Sequence, residues 1–156
     1  MSNLTQLYDQ DYGAWTLRTA ELLRQRRFGE LDIEHLIEEL TDMGKSQRHE
    51  LINRLRVLLA HLLKWQYQYR QLSDRRVEFE GKSWRNTIIE QRVALDYLLC
   101  KNPGLKSVLA DAVAEAYPQA IELAAAETDL SVATFPADCP YPIVEILDRA
   151  YYPPID

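Results

Sequence analysis

The sequence predicts an all-α fold: a single-domain helical bundle over residues 1–156, with about five main helices, a short C-terminal helix and an extended proline-rich tail. Helices are predicted because Gly is scarce, at 5 residues, and because apolar side chains recur at steps of three and four. One domain is predicted because 156 residues that are 47% apolar can form a single core. Neither an internal repeat nor a linker divides the chain.

The first predicted helix carries an aromatic stripe and ends near Arg26 and Arg27. The segment FGEL at 28–31 interrupts its periodicity. The residues that share its apolar face are Tyr8, Tyr12, Trp15, Thr19, Leu22 and Leu23.

The second predicted helix begins after Asp32 and ends at Gly44. Asp32 can accept a hydrogen bond at the helix N-terminus, and a glycine directly after the last periodic residue is typical of a C-terminus. The predicted buried stripe of this helix consists of Ile33, Leu36, Ile37, Leu40 and Met43.

The third predicted helix begins at Ser46 and is the central one, since it has the widest apolar face. The charged segment 71–82 loses the periodicity, so we expect a loop there. The apolar face of the helix contains Leu51, Leu55, Leu58, Leu62, Trp65 and Tyr69.

The fourth predicted helix begins at Ser83, which is a suitable N-cap, and its apolar face continues to Leu99. Asn102 and Pro103 then provide the N-cap and first position of a new helix.

The fifth predicted helix contains Pro118, which should kink it because proline lacks an N–H. A short helix around 143–149 and the extended tail YYPPID complete the chain. Alanines at every fourth position of the fifth helix permit close packing: Ala112, Ala116, Ala120 and Ala124.

Charge is distributed unevenly along the chain. Residues 1–43 carry a net −5, residues 44–92 a net +6 and residues 93–156 a net −7. A basic middle segment can attract nucleic acid, or it can be neutralised by the acidic helices within the fold. The pI near 5.1 favours internal neutralisation, so nucleic-acid binding is the weaker alternative.

The N-terminus resembles no secretory signal, and the longest apolar run, Val57–Leu63, is too short to cross a bilayer. Cys100 and Cys139 are too far apart to form a metal-ligand pair in the sequence. We therefore expect a cytoplasmic protein without membrane association. No sequence motif calls for a cofactor, and the P-loop, zincin, dinucleotide-binding and hydrolase-elbow patterns do not occur.

Several longer motifs are similar to those of one bacterial family. They are YDQDYGAW at 8–15, LDIEHLIEELTDMG at 31–44, LLAHLLKWQYQ at 58–68, SWRNTI at 83–88, NPGL at 102–105 and FPADCPY at 135–141. In this order they resemble the family called domain of unknown function 29, over nearly the whole chain. The resemblance implies a compact helical fold and does not imply any activity.

Polar residues beside the apolar stripes are predicted to form what we call the polar rim. Its members are Asp11, Glu39, Arg54, His61, Lys64, Trp65, Trp84 and Arg85.

Three interpretations of the polar rim are open. It can be a structural network of ion pairs and hydrogen bonds, in which a neighbouring carboxylate raises the pKa of His61. It can bind a small anion or peptide through its cationic side chains, with a tryptophan as platform. It can hold a metal for hydrolysis through Asp11, Glu39 and His61.

These observations favour a non-enzymatic module that binds a protein, a small ligand or a second copy of itself. A metal-assisted hydrolase and a nucleic-acid binder are the alternatives.

Overall fold

A computed structural model describes residues 3–72 and 74–155, and in these ranges it contains helices and no strand. The all-α prediction is confirmed. Within these described ranges, six α-helices follow one another, with short 3₁₀ turns between several of them. They are α1 (Asn3–Gln10), α2 (Tyr12–Arg24), α3 (Ile33–Tyr67), α4 (Asp74–Lys101), α5 (Leu109–Thr128) and α6 (Ile143–Leu147).

The chain divides into two compact units, which we call unit 1 (Met1–Gln47) and unit 2 (Arg48–Asp156). The boundary falls inside α3. That the two units form a single domain remains a prediction.

Unit 1 has a small core of its own, made by Leu4, Trp15 and Leu22. The prediction of one helix through residues 8–23 was wrong, because α1 ends at Gln10 and α2 begins at Tyr12. Asp11 separates them as the N-cap of α2, where its Oδ1 accepts a hydrogen bond from the N–H of Ala14 at 3.0 Å. An aspartate in this position competes with helix continuation by bonding the next turn.

The predicted helix boundary at Gly44 and Ser46 was also wrong, because α3 continues through both residues to Tyr67. An interior glycine costs a helix only about 1 kcal/mol relative to alanine. The surrounding residues Lys45, Gln47 and Arg48 are good helix formers, so a long helix tolerates Gly44.

Unit 2 contains the main core, to which α3, α4, α5 and α6 contribute. The expected burial of the apolar face of α3 is confirmed at Leu51, Leu55, Leu58 and Leu62, which are fully buried. The four alanines of α5 at positions 112–124 are fully buried as well, and Pro118 lies inside a helix without interrupting it.

The predicted loop over 71–82 was wrong, because α4 begins at Asp74 and Ser83 lies in its interior. The charged segment 71–82 has no periodic row of apolar residues, but its residue types have adequate helix propensity. Asn102 and Pro103 do begin a helical segment, which is a 3₁₀ turn that leads into α5.

A buried arginine attaches the C-terminal segment of unit 2 to α4. Arg92 is 1% exposed, and its guanidinium donates to three backbone oxygens: Nε to Ile146 at 2.9 Å, Nη1 to Tyr151 at 2.7 Å and Nη2 to Glu145 at 3.2 Å. The ring of Tyr152 lies 5.6 Å from its guanidinium carbon. Arg92 therefore positions α6 and the residues that follow it.

Candidate functional site

The carboxylate of Glu39 on α3 accepts hydrogen bonds from two tyrosines of unit 1. Tyr12 donates to Oε2 at 2.6 Å, and Tyr8 donates to Oε1. The bonds from Tyr12 and Tyr8 hold the pKa of Glu39 below its ordinary value, and the same bonds raise the pKa of each tyrosine. Each oxygen of this carboxylate thus accepts a hydrogen bond from one tyrosine.

About two turns before Glu39, Asp32 connects α2 to α3 through its side chain. Its Oδ2 accepts from the indole N–H of Trp15 at 3.3 Å and lies 2.6 Å from Nδ1 of His35. The hydrogen bond to Asp32 raises the pKa of His35, whose ring stacks on Tyr8 with 3.8 Å between ring centroids. The N-cap prediction for Asp32 is consistent with its Oδ1, which lies 3.5 Å from the N–H of His35.

Together these side chains form a closed network that holds α1 and α2 against the first turns of α3. Sequence reasoning included Glu39 but missed both tyrosines and the Asp32–His35 pair. The periodicity places both tyrosines on the same face as Trp15 and so predicts an apolar role for them, although each ring carries a hydroxyl. Buried or half-buried tyrosine hydroxyls usually have a hydrogen-bond partner, and that rule points to the nearest carboxylate.

The predicted buried stripe of the second helix is exposed on α3, and that prediction was wrong. Ile33 is 49% exposed, Ile37 59%, Leu40 60% and Met43 60%. Of the five residues of the predicted stripe, all of which the structure describes, Leu36 alone packs against the core of unit 1. The period of apolar residues correctly identifies one face of the helix, but it does not determine what covers that face. We call these four exposed side chains the α3 stripe.

A cleft of about 840 Å³ also lies in unit 1, between α1, α2 and the 3₁₀ turn at Phe28–Glu30. Its lining is largely aliphatic at the floor and polar at the rim. The lining residues are Leu4, Gln6, Leu7, Gln10, Ala14, Arg18, Leu22, Gly29, Glu30 and Leu31.

In unit 2, His61 lies beside Lys64 on α3. Its Nδ1 is 2.8 Å from the carbonyl oxygen of Val57. Burial, together with the charge of Lys64, lowers the pKa of His61 to about 4. The expected rise in that pKa was wrong, because the neighbouring charge is a cation and the ring is largely removed from water.

Lys64 is 4% exposed and forms an ion pair with Glu127 of α5. Arg54 donates to Glu50 at 3.1 Å and to Gln91 of α4 at 3.3 Å. Arg54 and Lys64 of the predicted polar rim therefore have polar partners in unit 2.

The two tryptophans assigned to the polar rim contact other aromatic rings of unit 2. Trp65 lies 4.9 Å, centroid to centroid, from both Tyr69 and Tyr152. Trp84 is 5% exposed and meets Tyr69 edge to face at 6.1 Å, whereas its neighbour Arg85 is exposed. That the polar rim as a whole forms one site remains a prediction.

The family model described as Domain of unknown function DUF29 matches residues 7–152. The chain belongs to this family. The resemblance of the quoted motifs is thereby confirmed over nearly the whole length. Comparison with curated proteins and with solved structures gave no significant match.

Two further observations on this DUF29 protein concern metal ligands and membrane spans. Over the described ranges 3–72 and 74–155, no group of three or more His, Cys, Asp or Glu side chains is arranged to hold a metal ion. In the same ranges, no helix combines the length and apolar character needed to span a membrane.

Proposed function

We propose that this protein is a non-enzymatic interaction module that pairs with a second copy of itself through the α3 stripe. The observation that carries the proposal is the exposure of four large apolar side chains at helical spacing: Ile33, Ile37, Leu40 and Met43. Exposed single apolar residues are common, but a contiguous row of them along one helix face is a feature of interaction sites.

The size of the stripe predicts a weak pair. Full burial of an Ile, Leu or Met side chain contributes about 1.5–3 kcal/mol, so burying the exposed half contributes about 1 kcal/mol each. Two copies would gain about 8 kcal/mol from eight side chains, against an association cost of about 4–15 kcal/mol. Even the lowest of these costs leaves a net gain of only about 4 kcal/mol, so we expect a dissociation constant of about a millimolar or weaker.

The charges beside the stripe favour an antiparallel arrangement. On a helical wheel, Glu34 and Lys45 lie on the same flank of the α3 stripe, near its opposite ends. In an antiparallel pair centred on Leu40, this flank meets the same flank of the second copy, so each Glu34 faces a Lys45. In a parallel pair, Glu34 would instead approach the flank that carries Glu39.

The test is sedimentation equilibrium of the full chain over a wide concentration range. Wild type should show a reversible monomer–dimer equilibrium, and Leu40→Glu should be monomeric throughout. The matched control is Leu17→Glu, because Leu17 is an exposed leucine of α2 outside the stripe. That variant should associate like wild type.

The antiparallel register has its own test. Lys45→Glu and Glu34→Lys should each weaken the dimer, and the double variant should restore it. A wild type that stays monomeric at all concentrations would contradict the proposal, as would equal loss of association in Leu40→Glu and Leu17→Glu. If the charge variants dimerise as strongly as wild type, the stripe would remain the interface but the antiparallel register would be wrong.

A further inference from the structure

The cleft of unit 1 combines an apolar floor with an exposed cation. Leu4 and Leu22, which belong to the core of unit 1, form the floor with the half-buried Leu7 and Leu31. The rim carries the side chain of Arg18. Binding sites for small molecules are typically clefts of about 300–1,000 Å³ that combine apolar walls with a few polar groups. The volume of this cleft lies in that range, and its lining mixes leucines with polar side chains.

The electrostatics of the cleft favour an anion. Glu30 is the acidic side chain of the lining, and Arg27 already binds both of its oxygens, with Nη2 at 2.6 Å from Oε1 and Nε on Oε2. That hydrogen-bonded pair, with a smaller contribution from the charge of Arg18, lowers the pKa of Glu30. Within the described residues, Arg18 itself has neither a hydrogen bond nor an ion pair. Arg18 is therefore a lining cation without a hydrogen-bonded partner, although its charge also acts on Glu30.

We propose that this cleft is a binding site for a small amphipathic monoanion, an apolar chain that ends in a carboxylate. The chain lies against the leucines of the floor, and the guanidinium of Arg18 receives the carboxylate as a charge-assisted hydrogen-bond donor. The side-chain amides of Gln6 and Gln10 stand at the same rim and can donate further bonds.

Octanoate is the probe, and octanamide is its uncharged match. Both are titrated into the ¹⁵N-labelled Leu40→Glu protein, so that dimerisation does not affect the result. We expect saturable chemical-shift changes for residues 4–31 and tighter binding of octanoate than of octanamide. The preference measures the contribution of the charge and not that of the apolar chain.

Arg18→Gln should weaken octanoate binding about fivefold, leave octanamide unchanged and so remove the preference. Arg24→Gln is the matched control, since Arg24 lies on the same helix, pairs with Glu21 and does not line the cleft. It should retain the wild-type preference. Ala14→Leu adds apolar bulk inside the cleft and should weaken both ligands, while the fold is checked by circular dichroism.

Three results would overturn the proposal. One is the absence of saturable binding of octanoate at any accessible concentration. A second is a set of shift changes outside residues 4–31, and a third is an equal effect of Arg18→Gln and Arg24→Gln. Binding to anionic vesicles that Arg18→Gln abolishes, with no binding of free octanoate, would assign the cation to a membrane surface instead.

Discussion

Replacing Arg92 with Met removes the guanidinium that holds the C-terminal segment of unit 2 but keeps much of the apolar stem. Three backbone oxygens lose a donor. That of Glu145 keeps a second donor, the N–H of Asp148 at 3.3 Å. Those of Ile146 and Tyr151 have no other donor among the described residues.

A buried acceptor without a partner costs about 1–3 kcal/mol, so two acceptors predict a loss of about 2–6 kcal/mol. The Tyr151 oxygen is only partly buried and can take up water, which moves the expected loss to about 3 kcal/mol. Arg149→Met is the control. Arg149 lies in the same segment, but it is exposed and pairs with Asp96 at 2.7 Å, a contact worth about 0–1 kcal/mol.

Urea unfolding followed by circular dichroism measures both variants, and limited proteolysis tests whether the segment 141–155 has been released. We expect Arg92→Met to lose about 3 kcal/mol and to be cut early in this segment. A loss no larger than that of Arg149→Met, with unchanged resistance to the protease, would refute the assignment of Arg92 as the anchor.

Four further predictions concern α3 and α4. Because the folded pKa of His61, about 4, lies below its unfolded value of about 6.5, its contribution is complete above pH 6.5 and declines as the pH falls towards 4. The melting temperature of wild type should therefore fall more over this interval than that of His61→Gln, and parallel curves would contradict it. Gly44→Ala should stabilise by about 1 kcal/mol, since nothing lies within 4 Å of the added carbon. Gly81→Ala should destabilise, since that carbon would come within 2.7 Å of the Tyr69 ring, and urea unfolding that ranks the two variants in the opposite order would contradict the geometry. Leu58→Ala should cost about 2–5 kcal/mol in the same assay, because the side chain is fully buried, and a loss well below 1 kcal/mol would exclude it from the core.

The sequence predicted the buried face of α3 in unit 2 because a wide apolar face can be stable only in a core. The boundaries at Gly44 and Ser83 failed for a different reason. Each residue type is compatible with a helix terminus, but neither prevents a long helix from continuing when its flanks have high helix propensity.

The polar contacts depended on tertiary structure and were harder to predict. The partners of Glu39 come from residues 27 and 31 positions away, so no local pattern joins them. The sequence does contain a signal for the buried Arg92. This residue lies four positions after Ile88 and three before Leu95, on an otherwise apolar helix face. A charged residue at such a position predicts a buried charge that needs acceptors.

The positions of the three tryptophans allow the unfolding of each unit to be followed by its fluorescence. Unit 1 holds Trp15, bonded to Asp32, and unit 2 holds Trp65 and Trp84, so each unit has its own intrinsic fluorophore. A Trp15→Phe variant reports by fluorescence on unit 2, and a variant with Phe at 65 and 84 reports on unit 1. If their emission changes at the same denaturant concentration, the units unfold as one cooperative domain, and separated transitions would give each unit its own free energy of unfolding.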